Sequence, residues 1–201
     1  MRSVVIAVAA GAFVVACSKG DNSRPDTVAG GSAVGSAVGA TTAAAPAPAP
    51  PQLNDANVLA KLSGGDSAEI ALGKLVATKG TDAGVKQYGT MLATDHGANA
   101  REVASVAKKD SVTPQPPAND TSAAEHQLVL DRFKAMAKGK DFDTAFVNHA
   151  VEDHTKEISE LQSAQSGLQK PDVQALVTKT LPVMQKHLDR AKALQTKLGT
   201  K

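Results

Sequence analysis

Apolar residues along the C-terminal three quarters of the chain recur at three- and four-residue intervals, the period of helices that bury one face. Leu59, Leu62, Gly73 and Val76 form one stripe, and Val85, Tyr88, Leu92, Val103 and Val106 a second. Val147, Ala150, Leu161, Ala164 and Leu168 form a third, and Val173, Leu176, Val183, Leu194 and Leu198 a fourth. The spacing predicts helices over about 55–79, 81–109, 141–166 and 171–198, with a shorter one over about 122–138. Thr81 and Asp82 are suited to cap the second helix, and P-Q-P-P-A-N-D at 114–120 breaks the chain. Gly139 and Gly167 stop two helices, and Pro171 opens the last one, where its missing N–H costs nothing. Gly64-Gly65 predict a soft break in the first helix, and Pro182 a kink in the last. No stretch alternates as a strand would.

Two tight helical hairpins joined by a long connection make an all-α domain over residues 53–198. The expected architecture is a four-helix bundle with one crossover, the ferritin-like connectivity, with the extra short helix in the crossover. That short helix, with His126, is expected to cap one end of the bundle. An up-and-down bundle with a loose fifth helix is the competing arrangement.

Each of the four stripes is interrupted near its middle by ionisable residues. They are Asp66 and Glu69, Asp95 and His96, Asp153, His154 and Glu157, and His187. Asp66 and His96 lie about 14–15 residues from the first hairpin turn, and His154 and His187 about 14–16 from the second. At a rise of about 1.5 Å per residue, the members of each hairpin fall level within about 3 Å. D-S-A-E (66–69) and H-T-K-E (154–157) echo one another, each placing two side chains on one face. Burying such groups alone would cost several kcal/mol apiece, so they must pair, neutralise or bind something.

One reading is a metal site with Glu69, His96, His154, Glu157 and His187 as ligands. Asp66, Asp95 and Asp153 are then further ligands or the partners that orient them. Imidazole with carboxylate suits iron, zinc, manganese or copper better than calcium or magnesium. The other reading is a hydrogen-bonded network that fixes helix register, losing stability below about pH 6 as buried histidines charge. Contact with a partner or ligand is a third. His149 lies roughly 140° round the helix from His154 and is expected at a flank.

The 201-residue chain has a formal net charge of +2, no tryptophan, four phenylalanines and one tyrosine, which argues against a nucleic-acid partner. Its N-terminus carries Arg2, then an apolar run from Val4 to Val15 too short to span a bilayer comfortably, ending V-V-A-C. Residues 1–16 read as an export signal. Cys17, the only cysteine, stands where the lipobox of bacterial lipoproteins places its acylated residue. Residues 17–52, rich in Gly, Ala and Pro, then form a tether spanning on the order of 30 Å. An ordinary secretory signal with an unrelated cysteine is the alternative. The lipid reading makes the membrane a partner through Cys17, and Ser18 after it favours the outer membrane, facing the periplasm.

A-E-I-A-L-G-K-L-V-A, V-K-Q-Y-G-T-M-L-A-T-D-H, D-F-D-T-A-F, V-E-D-H and T-L-P-V-M-Q-K-H-L follow one another over about 53–198. As a set they resemble the bacterial domain-of-unknown-function family 4142, at Glu69, Asp95, His96, Phe142, Asp143, His154 and His187. The resemblance implies a ferritin-like bundle of the cell envelope, often labelled an outer-membrane protein, and no settled activity. Di-iron ferritins use Glu-x-x-His on two helices, whereas Ala93 and Met184 stand three residues before His96 and His187. Phe146 stands where many relatives carry Tyr. The expectation is an envelope-anchored lipoprotein binding iron, zinc or manganese, with no catalysis assigned. The alternatives are a structural module contacting envelope proteins or the cell wall, and a metal-dependent oxidoreductase.

Overall fold

The computed structural model describes residues 52–199; the expected signal, Cys17 and nearly all of the tether lie outside the described residues. It contains α1 (Asp55–Lys79), α2 (Ala83–Lys109), α3 (Ser122–Ala135), α4 (Lys140–Ala164) and α5 (Pro171–Leu198), with a 3₁₀ turn at Gln165–Gly167. Among the described residues there is no strand, and no helix is long and apolar enough to cross a membrane. Asn54 and Asn57 close a reciprocal capping box on α1. The Asp82 side chain accepts from the N–H groups of Gly84 and Val85, starting α2. α1 runs unbroken through Gly64-Gly65, and α5 through Pro182, which faces solvent.

Cross-helix contacts fix the topology. Asp66 meets His96 across α1 and α2, and Asn148 meets Gln195 across α4 and α5. Glu102 pairs with Lys179 across α2 and α5, and Lys61 with Glu160 across α1 and α4. In the last three, early residues of one helix meet late residues of the other, and the short turn at residues 80–82 reverses α2 on α1, so all neighbours are antiparallel. α2 and α4 are therefore diagonal and parallel, and the chain between them must travel the length of the bundle. This is an all-α bundle with one crossover.

α3 occupies that crossover as expected, but the expected cap over a bundle end is not what forms: the helix lies along the groove between α1 and α4. Its one fully buried side chain, Phe133, packs edge-on against Phe142 and Phe146 of α4, at centroid distances of 5.8 and 6.1 Å. Lys79 at the end of α1 donates to the carbonyls of Phe133 and Lys134 at 2.8 and 2.7 Å, capping α3's last turn. The helix stops at Ala135 rather than 138 because Met136 is extended and its N–H closes on Arg132.

The interior has three storeys. One apolar cluster, including Tyr88, Leu92, Phe142, Phe146 and Leu194, fills the end near the α1–α2 turn. Another, including Leu59, Leu62, Leu161, Leu176 and Leu188, fills the end near the α4–α5 turn. Asp66, Glu69, His96 and His154 lie between them in chain position, with His187 at the edge of the second cluster beside Leu188, and all five are buried. The two apolar clusters supply the burial that holds the bundle together, and the polar middle does not.

Asp143, 1% exposed at the start of α4, clasps the α1–α2 turn. Its carboxylate accepts from the backbone N–H groups of Thr81 (3.0 Å) and Asp82 (2.7 Å) and from the Thr81 hydroxyl. Asp143→Ala would remove three charge-assisted hydrogen bonds to the part-buried turn, so a loss of about 2 kcal/mol is expected. A melting-temperature drop of about 4–8 °C, read by circular dichroism, checks it.

Candidate metal centre

The centre is built on three helices. His96 of α2, His154 of α4 and His187 of α5 point inward from the seams, at 5%, 0% and 0% exposure. Their ring centroids lie 5.2–5.9 Å apart. One side-chain nitrogen from each can be chosen so that all three lie within 4.8 Å of one another.

Each imidazole is held by one nitrogen. His96 Nδ1 bonds Asp66 Oδ1 at 2.8 Å, His154 Nδ1 the Ala150 carbonyl at 3.1 Å, and His187 Nε2 Asp95 Oδ2 at 3.0 Å. A carboxylate or carbonyl oxygen can only accept, so each of these nitrogens carries the proton. In the neutral ring, the form that binds a metal, the other nitrogen of each, His96 Nε2, His154 Nε2 and His187 Nδ1, is then a bare lone pair. All three are buried and have no protein partner. Three acceptors without a donor repel one another and are costly in a desolvated interior.

The outer partners are themselves tied down. Asn99 donates to both oxygens of Asp66 at 3.2 and 2.9 Å, and the Thr180 hydroxyl donates to Asn99 at 2.9 Å. This run of bonds fixes the tautomer and aim of His96. Asp95 is more open and also lies 3.9 Å from Lys186.

Electrostatics follow from burial. Desolvation, reinforced by His96 and His187, pushes His154 down to about 3. Desolvation also lowers His187, against the pull of Asp95. His96 goes the other way: burial opposes its charge, but the Asp66 hydrogen bond and the charges of Glu69 and Asp66 outweigh it. Glu69 is pushed up to about 7 by burial, with Asp153 and Asp66 adding to the effect of desolvation and His96 opposing it. Glu157 is raised for the same first reason.

These shifts set a pH dependence for the metal-free protein. Glu69 keeps a proton in the folded state that the unfolded chain releases near 4.5, so the cost of burying its charge is present above pH 7. That cost is relieved as pH falls through 7. Glu69→Gln removes it, so the variant should exceed the wild type by about 3 kcal/mol at pH 8 and match it near pH 4. His154 works oppositely: its depressed folded pKa costs stability as pH falls below about 6.5. Denaturant titrations of both proteins at the two pH values, in chelator, check the Glu69 effect.

The residues singled out in the sequence do not form one ligand set. Asp66 and Asp95 act as outer partners of His96 and His187. Glu69 and Glu157 fall into separate groups: donor atoms of Glu69, His149 and Asp153 lie within 4.8 Å of each other, as do those of Asp153, His154 and Glu157. Gly65 makes room for the last, since a Cβ there would stand 3.0 Å from Glu157 Oε1. His149 lies at the flank of the seam, half-buried beside Phe133 at a centroid distance of 5.6 Å. The signal for it was the four-residue step 149–153–157, a second stripe beside the seam. His126 lines a cleft rather than covering a bundle end.

A family model described as a domain of unknown function, DUF4142, matches residues 40–194. No curated protein and no solved structure matches the chain.

Proposed function

The chain belongs to the DUF4142 family, and we propose that its helical domain, read as ferritin-like, binds a divalent transition metal through His96, His154 and His187. One observation carries this reading: three buried imidazole nitrogens converge as lone pairs, each with its tautomer set from behind by Asp66, the Ala150 carbonyl or Asp95. Three histidines with an open fourth position suit zinc, and imidazole also accepts iron or copper. A cation placed among the three lone pairs would turn their repulsion into coordination.

The domain is proposed to act in the cell envelope, exported and held by an acylated Cys17 to the outer membrane on the periplasmic side. The V-V-A-C sequence and the Gly/Ala/Pro-rich tether support that placement. The chemistry there is metal binding or handling, without a catalytic step. The hydrogen-bonded network is a real alternative for part of the site, because it accounts for Thr180, Asn99, Asp66 and one nitrogen of His96. It leaves the three inward nitrogens unexplained.

The test is metal content of the full chain, purified in mild detergent without a histidine tag. Near-stoichiometric metal that is lost in a His96→Ala/His187→Ala double variant is the expected result. A metal-free protein whose melting point ignores added zinc, iron and copper would refute the reading, because a ligand of the folded state must stabilise it.

A further inference from the structure

A second set of donors lies beside the three histidines and is distinct from them. Glu69 comes from α1, and His149 and Asp153 come from successive turns of α4, with donor atoms within 4.8 Å of one another. Glu157 extends the same stripe by one more turn and shares a group of donors with Asp153 and His154. Glu69 is 4% exposed, and its Oε2 has no protein partner; nor has the buried Oε2 of Glu157. The buried Tyr88 hydroxyl, which feels the charge of Glu69, is also without a partner.

Among the described residues, no lysine or arginine forms an ion pair with Glu69, Asp153 or Glu157. The lysines at the rim of the same cleft, Lys61 and Lys156, are engaged elsewhere: Lys61 lies 3.0 Å from Glu160, and Lys156 lies 4.0 Å from both Glu125 and Glu160. His96 acts on Glu69 through its charge, but its hydrogen bond goes to Asp66. Buried carboxylates without a positive partner either hold protons or hold a cation.

Access supports the cation. A cleft of about 220 Å³ beneath α3 is lined by Asp66, His149, Asp153 and Glu157. A different cleft of about 280 Å³, between α2 and α5, is lined by Asp95, His96 and His187. His149, Asp153 and Glu157 are thus reached through the first cleft and His187 through the second, His96 borders both, and Glu69 and His154 lie behind these residues and line neither.

We propose that Glu69, His149 and Asp153 form a second cation site, closed by Glu157, for a divalent ion of the manganese(II) or iron(II) type. Two carboxylates with one imidazole make a harder ligand set than three imidazoles, which is why the two sites select different ions. The bundle would then hold two metal ions, one in an all-nitrogen site and one in an oxygen-rich site, bridged by the adjacent residues Asp153 and His154. The second site is argued from its own atoms and stands whether or not the three histidines bind metal.

The experiment is manganese(II) binding to the untagged full chain in detergent, stripped with chelator, followed by the loss of the free-ion paramagnetic resonance signal. Zinc content is measured in parallel. The expected result is about one manganese site in the wild type, weakened by at least about tenfold in His149→Ala/Asp153→Asn and unchanged in His187→Ala. Glu69→Gln, which keeps side-chain shape, should weaken manganese in the same way, and far-UV circular dichroism confirms that the variants fold. Manganese uptake equal in the wild type and in both Glu69→Gln and His149→Ala/Asp153→Asn would overturn the site, as would none at millimolar manganese. Manganese lost in His187→Ala but kept in the double variant would overturn it too, while leaving the three-histidine site standing. Zinc unaffected by His187→Ala, with manganese lost in the double variant, would do the reverse.

Discussion

Replacing His154 with leucine is expected to raise the melting temperature of the metal-free protein while abolishing its response to zinc. His154 is fully buried, and its Nε2 has no partner. Its one hydrogen bond goes to Ala150, four residues back, whose carbonyl is already the helical acceptor for the His154 N–H, so losing that bond strands nothing. Leucine is similar in volume and carries no polar atom. Removing a buried unmatched acceptor should gain about 1–3 kcal/mol, or about 2–12 °C for a domain of this size. Zinc at a thousand times its dissociation constant should stabilise the wild type by about 4 kcal/mol, and the variant hardly at all. The two signs together separate a binding site from a register-fixing network. In a network the leucine would cost stability with or without metal. Thermal melts in chelator and in excess zinc give all four numbers. A variant that melts lower in chelator, or that still rises with zinc, would sink the three-histidine site.

That ionisable side chains gather at this depth was legible in the sequence, because they interrupt four apolar stripes at matched distances from the two hairpin turns. Helical rise converts those distances into level, and Asp66 does meet His96 at 2.8 Å. What spacing could not show is which nitrogen of each ring faces inward. That depends on the partner behind it: an aspartate from a neighbouring helix for His96 and His187, and the helix's own carbonyl for His154. The division into an imidazole group and a carboxylate group was equally hidden. A single-stripe reading of α4 runs through Ala150, His154 and Leu161 and leaves His149 outside. A helix that packs against α1 on one side and α5 on the other has two working edges, and His149, Asp153 and Glu157 lie on the second.

The fold shows the same contrast. Caps and breakers such as Asp82, Pro171 and the 114–120 run located the helices to within a few residues, since those residues act on their own backbone. The place of α3 was not readable that way. It is set by Phe133 finding the ring cluster of α4 and by Lys79 reaching two carbonyls some 54 and 55 residues away. Asp143 is similar: it looks like an ordinary first-turn acid of α4, but its carboxylate serves the turn before α2.

Gly89→Ala is expected to cost about 3 kcal/mol, although alanine is the better helix former by about 1 kcal/mol. A Cβ at Gly89 would stand 2.7 Å from the Gly73 carbonyl oxygen and 2.9 Å from the Ala77 nitrogen. Both are backbone atoms that no rotamer change can move aside. At Gly73 the corresponding contacts are 2.6 Å to the Gly89 oxygen and 3.0 Å to the Ala93 nitrogen. α1 and α2 therefore touch backbone to backbone, and either substitution must push the two helices apart. Because the first methyl opens the space the second needs, Gly73→Ala and Gly89→Ala combined should cost less than the sum of the two. Gly64→Ala in the same helix meets nothing within 4 Å and should instead stabilise by about 0.5–1 kcal/mol. The separation also has a functional reading, since α1 carries Asp66 and α2 carries His96, seven residues beyond this contact. Spreading the pair lengthens the Asp66–His96 bond and loosens His96, so zinc binding should weaken in Gly89→Ala and not in Gly64→Ala. Denaturant unfolding and zinc titration of the three single variants and the double variant measure both effects. Additive costs, or a Gly89→Ala protein as stable as the wild type, would show that the helices do not meet where these glycines place them.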